Sequence, residues 1–216
     1  RLGEANTLQA LGRFHSIQDS VEAAEEAFAA ALNIYDEIAD RYSLAATLAY
    51  RGQHRLAHGS HEAGADWGVA LTLGLATDPF LVRQIIALTV GEARSRCAAA
   101  EDDELVAAAM AQLLQVAKET GDSLQLAEDQ SATLDIVLGA FWVMGAICAC
   151  HTADDQTERE QYAEAARSNA EDIDNATGNA FGLGELVEQR LGAGPSVGQS
   201  PPESLRPNTP TGVPRK

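Results

Sequence analysis

Cysteine, aromatic residues, basic residues and long apolar runs are all scarce in this sequence, and each scarcity removes a class of protein. Three cysteines, an odd and sparse set, do not frame a disulfide-stapled scaffold and point to a reducing, cytoplasmic setting. Cys148 and Cys150 lie two apart, so on a helix they face different sides and do not pair with each other. Aromatics make up 5% of the chain, β-branched residues are few, and no segment sustains period-two alternation, which argues against sheets. Lysine and arginine total 15 against 32 acids, a formal charge of -17. Such a field repels phosphate backbones and anionic bilayers, so neither nucleic acid nor a membrane is an expected partner. The acidity reads either as an ordinary solvated surface or as a preference for a basic partner. The longest charge-free apolar run, Ile136–Cys150, falls short of the ~20 residues a membrane span needs and contains Gly139 and Gly145. A buried central helix is expected there. Six of the seven prolines lie beyond Ala193, so residues 193–216 read as a disordered Pro/Gly/Ser-rich tail.

What is present is alanine, leucine and glycine at helical spacing. Gly3–Asp40 holds two amphipathic helices joined by a polar turn. The first carries Leu8, Leu11, Gly12 and Phe14; the second carries Ala24, Phe28, Ala31, Leu32 and Tyr35. Small residues let the helices approach, and Leu8, Leu11 and Phe28 are expected to fill the space between them. One hairpin cannot bury such a face, so stacked neighbours are expected. A second copy follows. Arg41, Ala45, Thr47, Leu48 and Gly52 repeat Arg1, Ala5, Thr7, Leu8 and Gly12, and Trp67, Ala70 and Leu71 repeat Phe28, Ala31 and Leu32 after a one-residue deletion. Arg51 breaks the pattern where a leucine is expected.

Leu11–Gly12, Ala24, Phe28 and Ala31 have the spacing of the tetratricopeptide repeat, and the chain resembles that family in its longer, roughly forty-residue bacterial and kinesin-light-chain form. Leu8 and His15 stand at two aromatic places of the pattern, and Asp36 stands at its terminal proline. The resemblance implies an all-α, right-handed α-solenoid of about four antiparallel hairpins with a short C-terminal capping helix. Repeats are expected over residues 3–40, 41–78, 79–122 and 123–179, with a cap at 181–192. Arg1-Leu2-Gly3 reads as the end of an inter-repeat loop, so further repeats are expected upstream.

Helix starts are signalled by Asp19 with Glu22, by Asp78-Pro79, by Asp102-Asp103-Glu104 and by Asp155 with Glu158. Gly121-Asp122 is expected to end the third hairpin. Phe80, Ile85, Leu88 and Cys97 should form one apolar face, Leu105, Met110, Leu113, Leu114 and Ala117 another, and Tyr162, Ala166, Ile173 and Ala176 a third. Phe181, Leu183, Leu186, Val187 and Leu191 should cover the last one.

Chemistry is not visible. His54, His58 and His61 have a metal-like spacing, but Gly59-Ser60 should end the helix first, and surface histidines are expected. His61-Glu62 begins a zincin pattern that Ala65 breaks. Cys148-x-Cys150 lacks the two-residue gap of zinc and redox motifs. No nucleophile elbow is present, and no catalytic role, metal or cofactor is expected. A binding module remains. The family resemblance implies that first helices line a concave groove for a protein segment, which carries over to Asn6, Gln9 and Arg13, then Ala46, Ala49, Tyr50 and Gln53. The Asn/Lys carboxylate clamp of chaperone-binding members is absent. The other arrangement is that Tyr50 packs on the next hairpin while Arg13 pairs with Glu22. A different class of function is the sensory or regulatory arm of a larger bacterial signalling ATPase or transcription regulator.

Overall fold

Helical spacing becomes nine helices and no strands among the described residues of this computed structural model, which describes residues 1–192. They are α1 (Leu2–Ile17), α2 (Val21–Glu37), α3 (Arg41–Ala57), α4 (Ala63–Thr77), α5 (Pro79–Ala99), α6 (Asp103–Leu124), α7 (Glu128–Thr152), α8 (Gln156–Thr177) and α9 (Leu183–Leu191). The expected tail, 193–216, lies outside the described residues.

The first three connections share one geometry. Asp19, Ala39 and Gly59, spaced by twenty residues, take left-handed backbone at φ 55°, 56° and 78°. The following N–H groups, of Ser20, Asp40 and Ser60, donate to the carbonyls of His15, Tyr35 and Arg55 at 3.0, 2.9 and 2.9 Å. Each turn thus closes a helix by satisfying carbonyls its last turn leaves free. Asp19 fills this left-handed place rather than the expected N-cap, which falls to Ser20 without a side-chain bond. Asp40, Asp78, Asp102 and Asp155 do cap, each accepting from backbone N–H groups of the helix that follows.

The two early hairpins, α1–α2 and α3–α4, also share their packing. Phe28 and Trp67 are fully buried, each against the glycine of its partner helix. A Cβ at Gly12 would lie 2.7 Å from Phe28 Cδ1, and one at Gly52 would lie 2.5 Å from Trp67 Cδ1. The absent side chains therefore set the interhelical distance, and burial of Phe28 contributes roughly 1.5–3 kcal/mol. Ala5 and Gly12 form the buried face of α1 with half-buried Leu8. Leu11 and Phe14, expected inside, are 42% and 52% exposed, because no described residue covers that side of α1.

The third expected hairpin does not form as one. α5 and α6 scarcely touch; α6 lies along α4, and α5 lies against α4, α7 and α3. The cause is on α4, where Gly64 and Gly68 expose backbone to the backbone of Ala109, Leu113 and Ala117. A Cβ at Gly68 would meet Ala117 N at 2.9 Å, so only glycine admits α6 this closely. α7 and α8 pair as a hairpin, and α7 runs through the core with Phe141, Val143, Met144 and Ile147 fully buried. That burial accounts for its hydropathy: by length and composition alone it is the one helix among the described residues apolar enough to cross a membrane.

Smaller departures have local reasons. Gly121 does not end α6, which continues to Leu124 because Gly121 is buried against Leu134, and the turn is made by Gln125 at φ 52°. Phe80 is 64% exposed, as it follows Pro79 in the first turn and points off the end of the α5 face. Ala176 is exposed, and the inner stripe of α8 runs Tyr162, Ala166, Ala170 and Ile173 instead. α9 covers the end as expected, with Leu183, Leu186 and Val187 buried.

A candidate binding face on the first helices

The helices α1, α3 and α5 touch in succession, and the candidate residues stand along their joint face. Gln9 Nε2 donates to Thr47 Oγ1 at 2.6 Å, joining α1 to α3. Arg13 places its guanidinium carbon 4.3 Å from the centroid of the Tyr50 ring, a cation–π stack between the same two helices. Gln53 Nε2 donates to Glu92 Oε2 at 3.2 Å, joining α3 to α5, and Glu92 in turn accepts from Arg96 at 3.0 Å. Ala46, Ala49 and Tyr50 line a small cavity of about 30 Å³ with Leu81, Gln84, Ile85 and Leu88 of α5.

Two candidates have a structural task instead. Asn6 Oδ1 accepts from the Tyr35 hydroxyl at 2.8 Å, which directs it to α2. Ala49 is 3% exposed and its carbonyl accepts from Trp67 Nε1 at 3.1 Å, which directs it to α4. The surface left for a ligand is Gln9, Arg13, Ala46, Tyr50 and Gln53. Arg13 is exposed and forms no ion pair among the described residues, with Glu22 or with any other acid. Its guanidinium lies over the Tyr50 ring, and its N–H groups make no hydrogen bond to a side chain among the described residues. A guanidinium so held suits a carboxylate taken bidentately.

Behind this face lies an ionic cluster that sequence reasoning missed. Arg51, out of pattern for the repeat, donates to Asp66 at 2.9 and 2.5 Å with side chains only 17% and 5% exposed. Arg55 stands 3.2 Å from the same carboxylate and binds Glu25 bidentately, at 2.9 Å for each bond. Burial pushes Asp66 above the ordinary carboxylate range despite the pull of Arg51 and Arg55. At Glu25 burial works upward too, but the bonds and charge of Arg55 win, and Glu25 titrates below its ordinary value. The signal in the sequence was Arg51 itself: a cation at a core place demands an acid, and Asp66 is the one that α4 brings opposite.

His54 is the second correction. Expected at the surface, it is 1% exposed, because its helix face turns back toward the first hairpin, where it meets Phe28 and Ser16. Nδ1 stands 3.0 Å from Ser16 Oγ, and the His58 ring centroid lies 4.3 Å away. Burial, then the charge of His58, hold its pKa below the ordinary imidazole value. His58 donates from Nδ1 to the His54 carbonyl at 2.7 Å and faces Asp19 at 3.5 Å; His61 is exposed in the turn.

The chain matches no protein-family model, no curated protein and no solved structure. A wider open groove, of about 640 Å³, lies between α6 and α7, where Leu114, Leu134, Leu138 and Trp142 meet Lys118, Asp122 and Asp135. It holds no cation over an aromatic ring comparable to Arg13 on Tyr50, and Gln125 and Ser131 complete its polar rim.

Proposed function

We propose that the chain is a protein–protein interaction module that takes an extended or helical protein segment on the face formed by α1, α3 and α5. The observation that carries this reading is the Arg13 guanidinium over the Tyr50 ring, with no acidic partner among the described residues. A right-handed stack of hairpins, with first helices on the concave side, is the arrangement the reading requires. The acidic body favours basic residues flanking the ligand carboxylate that Arg13 would hold. No catalytic chemistry is assigned.

The second reading, a sensory or regulatory arm in a larger bacterial signalling protein, draws on α1. Leu11, Phe14 and Ile17 are 42%, 52% and 83% exposed, an apolar stripe that suits a neighbouring helical element.

The test uses a displayed random-peptide library selected on the parent chain. Selected peptides should share a carboxylate beside basic residues. Arg13→Ala with Tyr50→Ala should weaken them by about tenfold or more, since aromatic and arginine anchors dominate interfaces, with the helix content by circular dichroism retained. Peptides that bind the double variant as well as the parent place the binding surface elsewhere.

A further inference from the structure

A pair of cysteines that no motif joins comes together in the core. Cys97 sits near the end of α5 and Cys148 in the second half of α7, and their sulfurs are 3.5 Å apart. Both are fully buried, and both are free thiols. The third cysteine, Cys150, is partly exposed and points elsewhere, with its sulfur 3.3 Å from the Arg159 carbonyl. Over the pair lies α9. Arg190 donates to the Cys97 carbonyl, stands 3.9 Å from the Cys97 sulfur and binds Asp103 at 2.6 Å. That guanidinium is only 7% exposed, so its charge acts at close range through little water.

We propose that Cys97 and Cys148 form a reversible disulfide site, with Cys97 as the attacking thiol, Cys148 as the resolving thiol and Arg190 as a positioning residue. The spacing leaves about one and a half ångströms of closure to a bond of ~2.05 Å. Cys97 lies in the last turn of α5, which Ala100 and Asp102 follow in left-handed backbone, so the closure can be taken up at that helix end. The thiolate is the reactive form. The Cys148 S–H donates to Cys97 and Arg190 adds positive charge, so Cys97 is the more acidic thiol of the two, against the opposing effects of burial and of the Asp103 carboxylate.

The oxidant is hydrogen peroxide. The Cys97 thiolate attacks a peroxide oxygen; the S–O bond forms, the O–O bond breaks, Cys97 becomes a sulfenic acid, and the departing hydroxide is protonated to water. The Cys148 thiol then attacks the sulfenic sulfur; the S–S bond forms, the S–O bond breaks and a second water leaves. Overall, two thiols lose two electrons and two protons, and one peroxide becomes two waters. A disulfide here would tie α5 to α7 beneath α9.

The experiment treats the folded chain with hydrogen peroxide and maps the products by peptide mass spectrometry with and without dithiothreitol. The expected result is a Cys97–Cys148 disulfide, lost on reduction, with Cys150 outside it. Cys148→Ser should stop the reaction at a Cys97 sulfenic acid that dimedone labels. Arg190→Gln should slow disulfide formation severalfold while its reversal by dithiothreitol remains complete. Cys97 and Cys148 left as thiols while Cys150 oxidises, or a disulfide formed only in denaturant, would overturn the proposal. Dimedone labelling of Cys150 alone in the Cys148→Ser chain would overturn the assignment of Cys97 as the attacking thiol.

Discussion

Replacing Arg51 by leucine restores the residue the repeat pattern expects and should nonetheless destabilise the fold. Asp66 is 4% exposed and would lose two charge-assisted bonds, keeping only Arg55 at 3.2 Å. Breaking a buried pair from one side costs about 3–5 kcal/mol, because the remaining charge stays desolvated. Removing both partners, as Arg51→Leu with Asp66→Leu, should cost much less, since Arg55 retains Glu25 and Glu62 and no buried carboxylate is left unpaired. The double-mutant cycle should therefore show a coupling of about 2–3 kcal/mol, the upper part of the usual range for contacting residues. Urea unfolding followed by far-ultraviolet circular dichroism gives each value, provided the slopes stay equal. Added salt should not reduce the coupling, because buried pairs are poorly screened. pH supplies a second check. The folded carboxyl of Asp66 titrates above its ordinary value, so the native state holds a proton that the unfolded chain has released, and this contribution falls as pH rises through that window. Arg51→Leu should push the carboxyl higher still and extend the window upward. A cost under about 1 kcal/mol for Arg51→Leu, the size of an exposed pair, would refute the claim that the pair sits in the core.

The early interface gives a second expectation. Phe28→Ala should lose about 3–5 kcal/mol, and Gly12→Leu about 1–3 kcal/mol through overpacking; denaturation midpoints equal to the parent's would show that these residues do not set the hairpin spacing. A third concerns His54, which faces His58, Glu25, Arg55 and Ser16. Its folded pKa lies below its unfolded one, so the unfolded chain binds the proton first, and stability drops as pH falls from the unfolded value of about 6.5 toward the folded one. His54→Phe should flatten the slope of stability against pH in that interval, and an unchanged slope would assign it to other groups.

Helix positions were legible because their ends carry local chemistry. Asp78 and Asp155 cap their own helices, and four residues settle each case. The Asp19 turn was misplaced by one residue because aspartate suits both an N-cap and a left-handed turn, and local sequence does not choose between them. The exposure of Leu11 and Phe14 was not legible at all: an apolar stripe states that a face wants cover, not that the cover is present. At the candidate face, Arg13 and Tyr50 were each readable from the repeat register. Their stacking was not, since it joins two helices across 37 positions. Cys97 and Cys148 are further apart still, and their meeting depends on how α5 lies on α7.

The α4 helix explains where pattern reading stops working. In α2 the apolar stripe serves α1 and α3, and the other face is polar. In α4 the segment from Leu71 to Leu75 is buried all round, and even Asp66 and Thr72 are inside. A helix without a polar face is enclosed by several neighbours, and α4 touches α3, α5, α6 and α7. The turn that follows is also unlike its predecessors: Asp78 is extended, at φ -156° and ψ 127°, and Pro79 starts α5 at once. The chain therefore leaves α4 along a new direction. That redirection lays α5 against α3 and leaves α4 open to α6. It also completes the candidate face, because Gln53 gains Glu92 and Tyr50 gains the wall made by Leu81, Ile85 and Leu88. The break in the twenty-residue turn period and the half-burial of Tyr50 are thus one event, and the ring that orients Arg13 is held because the regular stacking ends there.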